Sequence, residues 1–348
     1  MLDFTGNHSA LPLGYGRPQV LAAAERQLAL GTAFPGPTEP QLRLARLLHE
    51  RVPSMELVRF TSSGTEASLN AIRAARRFTG RRRIARAEGS YHGSLDETMG
   101  PHPDTVVFPF NRTDAAATLI QAHAGELAAV LIEPVQGSAG MIPATADFLR
   151  RLREVTARHG IVLVFDEVVS FRIGWGGAQE YFGVTPELTV LGKLIGGGFP
   201  LGAFGGRADI MAQFDPSRGA PAIPHPGSLN ANPMSLAAGA ATLELLTREE
   251  IARINELGEQ LRSRLGAALD EAGLDARVTG CGSLFAIHPS DATLRLRLFL
   301  GLYNEGVLID PRGVGTISTA LGPAEVDRFL ESVATAAGRI IGHTAARP

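Results

Sequence analysis

Ile161-Val162-Leu163-Val164-Phe165-Asp166-Glu167 is five apolar residues in a row closed by two carboxylates. A run of this length without polar alternation reads as a strand buried on both faces. Upstream, Phe148 to His159 carries helical periodicity, and Gly160 is placed to end that helix. Further upstream, Ala129-Val130-Leu131-Ile132 is a second apolar run, ending at Glu133-Pro134. Downstream, Leu188-Thr189-Val190-Leu191 is a third, running into Gly192-Lys193. Strand, helix, strand with buried strands predicts an α/β unit whose sheet is mostly parallel and covered on both faces. Ligands of such sheets sit at the carboxyl ends of the strands. Glu133, Asp166 and Lys193 all fall at such ends.

The C-terminal third is different. Arg248 to Gly273 reads as helix, with Leu257, Leu261, Leu265 and Leu269 at every fourth position. Gly282 to His288 and Gly306 to Ile309 read as short strands, and Ala324 to Ile340 as a last helix. This predicts a smaller α+β domain over 236–348, joined by residues 1–30 with their helix Pro18 to Leu30. The large domain then spans 31–235. Gly196-Gly197-Gly198 and Gly205-Gly206 read as loops near Lys193.

Composition narrows the function. Against 35 acidic residues stand 33 basic ones, so no basic excess points to nucleic acid or to an anionic membrane. One cysteine, Cys281, excludes a disulfide framework and a cysteine-based zinc site. No stretch approaches the ~20 apolar residues of a membrane span. Met1 to Ala10 has no apolar run and does not read as a signal peptide, so the expectation is a cytoplasmic enzyme. Of the 33 basic residues, 32 are Arg and one is Lys, at position 193. A chain so biased towards Arg keeps a lysine by chance or because the position needs one. Arg stays protonated, whereas Lys can shed its proton and attack a carbonyl.

Four further features carry chemistry. Thr61-Ser62-Ser63-Gly64-Thr65-Glu66-Ala67 opens a helix running through Ala75, with Ser63 and Thr65 suited to N-capping. Free amides and the helix dipole make an anion site there, typically for phosphate; alone, an ordinary capped helix is the simpler reading. Gly89-Ser90-Tyr91-His92-Gly93 follows a predicted strand, Ile84 to Glu88. An aromatic between glycines can stack on a planar ring; alone, a turn with a half-buried tyrosine is simpler. Asp166, buried at a strand end, needs a cation, either a protonated ring nitrogen or one of the many arginines. A nucleotide-binding P-loop at Gly192-Lys193 fails, because Leu194 takes the Ser/Thr position and no glycine-rich loop precedes it. A Schiff-base lysine fits better. In chain order these are phosphate site, aromatic, strand-end Glu, strand-end Asp and the sole Lys. Phosphate, stacked ring, ring nitrogen and imine are the anchors that pyridoxal 5'-phosphate (PLP) requires.

The pattern resembles the class III aminotransferases, fold-type I PLP enzymes, from about Leu2 to Phe329. The likeness is specific at Ser62 to Ala67, Gly89 to Gly93, Glu133-Pro134 with Phe165 to Val168, and Leu191 to Gly206. His225-Pro226-Gly227-Ser228-Leu229-Asn230-Ala231-Asn232-Pro233 is similar to the family's phosphate loop donated by the partner subunit. The resemblance implies that Ser63, Gly64 and Thr65 hold the phosphate, helped by Ser228 of a second copy. It implies that Tyr91 and Val168 flank the ring, that His92 and Glu133 line the same site, and that Asp166 pairs with the ring nitrogen. Lys193 becomes the Schiff-base lysine and then the base that moves the substrate proton. A homodimer with a shared site, a small-molecule amino donor and a carbonyl acceptor complete the expectation.

Two branches of the class compete. Gly176-Gly177-Ala178-Gln179 and Gly192 to Gly206 resemble glutamate-1-semialdehyde aminomutases. Asp166 to Gly183, Gly205 to Met211 and Asn304 through Gly313 resemble aminotransferases of β-amino acids such as β-phenylalanine. In that branch the arginine matching Arg312 binds a substrate carboxylate and swings aside for other groups. The leading expectation is an aminotransferase with a substrate of the β-amino or β-keto acid type. The alternatives are an aminomutase or racemase and, from another class, a PLP-fold binding protein without catalysis. The segment that precedes Leu2 in the family, part of the Met99 to Phe108 region and the stretch after His288 are missing or short. Tyr15 stands where the family has His. A smaller, more open pocket follows as an expectation.

Overall fold

Side chains alternate across a strand, and in Val162–Asp166 both faces are buried. Val162 and Val164 pack with Ala67, Ala71, Ala74 and Ala75 of the helix Gly64–Thr79. Leu163 and Phe165 pack with Phe148, Leu149, Leu152 and Val155 of the helix Ala146–His159. Small residues on the first helix and large ones on the second set how closely each approaches the sheet. Gly160 ends the second helix at φ 61°, as its sequence position predicts.

The structure is a computed structural model that describes residues 1–217 and 219–345. Its central sheet has seven strands. They are β1 (Leu57–Thr61), β2 (Arg83–Ala87), β3 (Thr105–Phe108), β4 (Leu127–Ile132), β5 (Val162–Asp166), β6 (Leu188–Leu191) and β7 (Gly202–Gly206). Across the sheet the order is β1-β7-β6-β5-β4-β2-β3. The run from β6 to β3 is parallel, and β7 is antiparallel to both its neighbours. The carboxyl ends of β4, β5 and β6 therefore share one edge. Glu133 follows β4, Asp166 closes β5 opposite Val190, and Lys193 follows β6.

Gly205-Gly206, expected to be a loop, lies inside β7. Glycine is a poor strand former, so contact must require it. A Cβ on Gly206 would lie 2.0 Å from the Glu187 carbonyl oxygen, and one on Gly205 would lie 2.3 Å from that of Leu57. β7 is a strand chosen for backbone proximity rather than for side-chain packing.

Two compact units divide the chain. The larger comprises Gly16–Ser138 and Ala144–Thr247, against the 31–235 expected from sequence. It takes in the helix Pro18–Leu30 because that helix packs on Pro233–Leu245. The other unit comprises Met1–Tyr15, Ala139–Pro143 and the chain from Arg248 onward. Its strands Ala276–Thr279, Leu284–Pro289 and Val314–Thr316 form an antiparallel sheet. The helices Arg248–Glu271, Ala292–Asn304 and Pro323–Ala345 supply its other layer. Leu257, Leu261, Leu265 and Leu269 are all buried there, with Phe4, Phe285 and Phe329. Leu2–Asp3 pairs in parallel with Val307–Leu308. Among the described residues no helix is long and apolar enough to cross a membrane.

Gly206→Ala should lower stability by about 1–3 kcal/mol, because the added methyl meets backbone that cannot step aside. Gly266→Ala, at a mid-helix site with nothing within 4 Å of the new carbon, should raise it by about 0.5–1 kcal/mol. Thermal midpoints of the two variants check both signs.

Candidate active site

Asp166 is 5% exposed and carries a carboxylate that must be answered. Among the described residues no arginine answers it. Its ion-pair partner is His92, whose Nδ1 lies 2.9 Å from Asp166 Oδ2. The Val168 amide donates to Oδ1 at 3.1 Å, which turns the chain as it leaves β5. His92 is itself buried, and its Nε2 has no hydrogen-bond partner.

The helix Gly64–Thr79 starts next to this pair. Ser63 caps it, its hydroxyl accepting the Glu66 amide at 3.2 Å, while the Glu66 carboxylate accepts the Ser62 amide at 2.8 Å. The cap is Ser63 alone. Thr65 lies inside the first turn, where its hydroxyl accepts the Ser94 amide at 3.4 Å. The amides of Gly64 and Thr65, like the first amides of any helix, have no intrahelical acceptor. They remain available to an anion, which the helix dipole favours.

The loop Gly89 to Gly93 is pressed onto that turn. Gly93 sits at φ 92°, and a Cβ on it would lie 2.5 Å from Thr65 Oγ1. Glu133 fixes the other end of the loop: its buried carboxylate accepts the Tyr91 amide at 2.7 Å and the Gly137 amide at 3.0 Å. Burial pushes the Glu133 carboxyl up to about 7. Glu133 thus spends both oxygens on backbone. Tyr91 itself is exposed.

Val168 joins the remaining pieces. A Cβ on Gly64 would lie 3.0 Å from Val168 Cγ2. One on Gly192 would lie 3.4 Å from Val168 and 3.5 Å from the Gly64 Cα. The helix start, the end of β5 and the end of β6 therefore meet around one side chain. Lys193 comes next, at φ 49°. A non-glycine residue in that region carries about 1–3 kcal/mol of strain, of the kind that accumulates at functional sites.

Ser228 and Arg312 were also expected at the site. Ser228 is exposed and makes no hydrogen bond to Ser63, Gly64 or Thr65 among the described residues. It lines a groove with Phe34, Gly36, Pro37, Phe60 and Asn230. Arg312 belongs to the other unit, where it forms a two-pronged ion pair with Asp310.

A buried network behind β5 and β6 carries a role the sequence did not assign. Glu167, fully buried, accepts the amides of Ala178 and Gln179 and, at 2.9 Å, the Gln179 side chain. Gln179 continues to Thr189 Oγ1 at 3.1 Å, and its Oε1 accepts the Ser54 amide at 2.9 Å. The acid beside Asp166 faces the scaffold. The signal available in the sequence was two adjacent acids at a strand end, which alternation must send to opposite sides.

The solved structures that this fold matches are transaminases of fold type I, PLP-dependent enzymes. The family model for aminotransferase class-III matches residues 1–106 and 101–324. The chain is 41% identical to the beta-phenylalanine transaminase of Variovorax paradoxus, over 99% of this chain and 83% of that protein. It is 39% identical to the glutamate-1-semialdehyde 2,1-aminomutase of Methanothermobacter thermautotrophicus, over 89% of this chain and 81% of that one. A solved transaminase with PLP bound matches with a TM-score of 0.95 and 38% identity, over 99% of this chain and 88% of that one. The chain belongs to the class III aminotransferase family. It is a PLP-dependent aminotransferase.

Burial also pushes the Glu167 carboxyl up from 4.5 to about 7. The folded chain then holds this proton more tightly than the unfolded chain does. The stability it contributes is complete below about 4.5 and is lost as pH rises through about 7. The thermal midpoint should fall across that window. Glu167→Gln, which cannot ionise, should make the fall shallower at a lower overall stability; an equally steep fall would assign the pH dependence to other groups.

Proposed function

We propose that this aminotransferase takes a β-amino acid as donor, with Lys193 and Asp166 as catalytic residues and Arg312 as the carboxylate-binding residue. The observation that carries the assignment of the site is the buried Asp166–His92 pair, set beside a helix N-terminus with open amides and next to the sole lysine's strand end. The residues present fit PLP. Ser63, Gly64 and Thr65 would hold its phosphate, Tyr91 and Val168 would flank the ring, and Glu133 would brace the tyrosine loop. His92 holds Asp166 in place, so that a fixed negative charge faces a protonated ring nitrogen. PLP, when bound there, supplies an electron sink for the substrate carbon that bears the amine.

This chain's own residues do the rest. Lys193 would hold the cofactor, and its amine, once released, would take up the proton that leaves the donor carbon. Arg312 selects donors that carry a carboxylate, whose two oxygens match a guanidinium fork. Ser228 would help hold the phosphate from a second copy, in a homodimer with shared sites. The absence of basic excess and the small polar cluster fit small-molecule donors and acceptors in a cytoplasmic setting.

A second reading, an aminomutase acting within one molecule, draws on the likeness to the glutamate-1-semialdehyde enzyme. Donor alone separates the two. An absorbance spectrum that shifts completely to the pyridoxamine form with β-phenylalanine supports the aminotransferase reading; a spectrum that returns to its starting form after turnover supports the mutase. Lys193→Ala should lose turnover by at least about 10²–10⁴-fold. Asp166→Asn should still bind cofactor but turn over about 10²–10³-fold more slowly. Arg312→Ala should raise KM for carboxylate donors by about ten- to a hundredfold, with simple amines unaffected. Equal losses on both donor types would refute the role of Arg312.

A further inference from the structure

Four consecutive residues near the N-terminus, Gly6-Asn7-His8-Ser9, have positive φ of 51°, 51°, 54° and 69°. A left-handed turn costs L residues about 1–2 kcal/mol each, so local bonds must hold it. Thr5 Oγ1 accepts the Asn7 amide at 3.2 Å, the Thr5 carbonyl accepts that of Ser9 at 2.9 Å, and the Gly6 carbonyl accepts that of Leu11 at 2.9 Å. The turn delivers His8, whose Nδ1 lies 3.1 Å from Asp310 Oδ2.

The same carboxylate holds Arg312. Arg312 Nε donates to Oδ1 at 2.8 Å and Nη2 to Oδ2 at 3.0 Å. The arrangement is rigid at its base. Asp310 Oδ1 accepts the Arg312 amide at 2.9 Å, and the Asp310 carbonyl accepts the Gly313 amide at 2.8 Å. Pro311 fixes one φ of this turn, and Gly313 at φ 87° is pressed so close that a Cβ would lie 2.2 Å from the Ile287 carbonyl oxygen. Asp310 is 5% exposed, while half of the Arg312 side chain is open to solvent. Burial pushes the Asp310 carboxyl up, but hydrogen bonds and charge from Arg312 outweigh it and hold the carboxyl below its ordinary value.

The pair is side-on. Asp310 occupies the Nε–Nη2 edge of the guanidinium, and Nη1 has no partner among the described residues. The end-on edge, Nη1 with Nη2, can take a second carboxylate. We propose that Asp310 is a positioning residue for substrate recognition: it holds the Arg312 guanidinium in the position in which the end-on edge receives the donor's carboxylate, while His8 binds the Oδ2 that Arg312 Nη2 also uses. The proposal rests on the substrate role of Arg312 given above. An arginine already ordered loses less freedom on binding, which is worth affinity for carboxylate donors and nothing for other amines.

The test compares β-phenylalanine with α-methylbenzylamine, which keeps the aromatic amine and lacks the carboxylate, on the holoenzyme with one keto-acid acceptor. Asp310→Asn keeps an oxygen for the Arg312 amide and removes the charge. It should raise KM for β-phenylalanine about two- to tenfold with kcat unchanged. A thermal midpoint and a cofactor absorbance band like those of the parent show that the variant is folded. A KM that stays the same or falls, while Arg312→Ala raises it, overturns the proposal and leaves the Arg312 reading intact; a fall would mean that Asp310 competes with the substrate. If Arg312→Ala leaves both donors unchanged, the role of Arg312 fails and this proposal with it. Should Asp310→Asn not fold, His8→Ala loosens the same carboxylate from an exposed position. It must raise the same KM about twofold, and no change overturns the proposal.

Discussion

A carboxylate buried at a strand end is unstable unless something positive or polar meets it, and the site is organised around meeting Asp166. His92 reaches it, which requires the loop from β2 to fold inward. That loop is held by Glu133 on one side and by contact with Thr65 on the other. Through Thr65 the helix start is drawn in, and through Val168 the ends of β5 and β6 close on Gly64. Removing Asp166 as an anion would remove the reason for His92 to be inside, and with it the lock on the tyrosine loop. On the proposed reading, the same interaction fixes the negative charge that would face the ring nitrogen of the cofactor. Stability and chemistry rest on one bond here.

The parts legible in the sequence were those fixed by burial. β4, β5 and β6 are continuous apolar runs because both faces are covered, and a run of that kind admits few other readings. The positions of Glu133, Asp166 and Lys193 followed from where the runs stop. β7 was not legible, because Gly202–Gly206 owes its place to backbone approach, and glycine leaves no apolar trace of a strand. Helix Pro18–Leu30 read correctly as a helix, yet its partner Pro233–Leu245 lies too far along the chain for local pattern to name it. Thr65 looked like a cap because Ser and Thr are interchangeable on paper; geometry gave that position to Ser63.

The site shows the same division. Residue type and order exposed the ionisable groups, but not which partner each would choose. Asp166 had two open solutions, an arginine or a ring nitrogen, and the structure supplied a histidine as its protein neighbour. Glu167, adjacent to it, turned away to bind backbone and Gln179. Arg312 was recognisable by its motif, whereas the ion pair that orients it uses Asp310, two residues away, and His8, some three hundred residues earlier. Long-range pairing of this kind has no local signature in a single sequence.

The near-total replacement of lysine by arginine has a chemical corollary. Acylating agents, reducing sugars and other electrophiles that scavenge amines find one side-chain amine in this chain, at Lys193. No surface lysines stand in front of it as decoys. Adduct formation on a side-chain amine therefore reports on Lys193 alone, the residue proposed to hold the cofactor. A protease specific for lysine would likewise have a single cut to make, after Lys193, within the turn Lys193–Gly196.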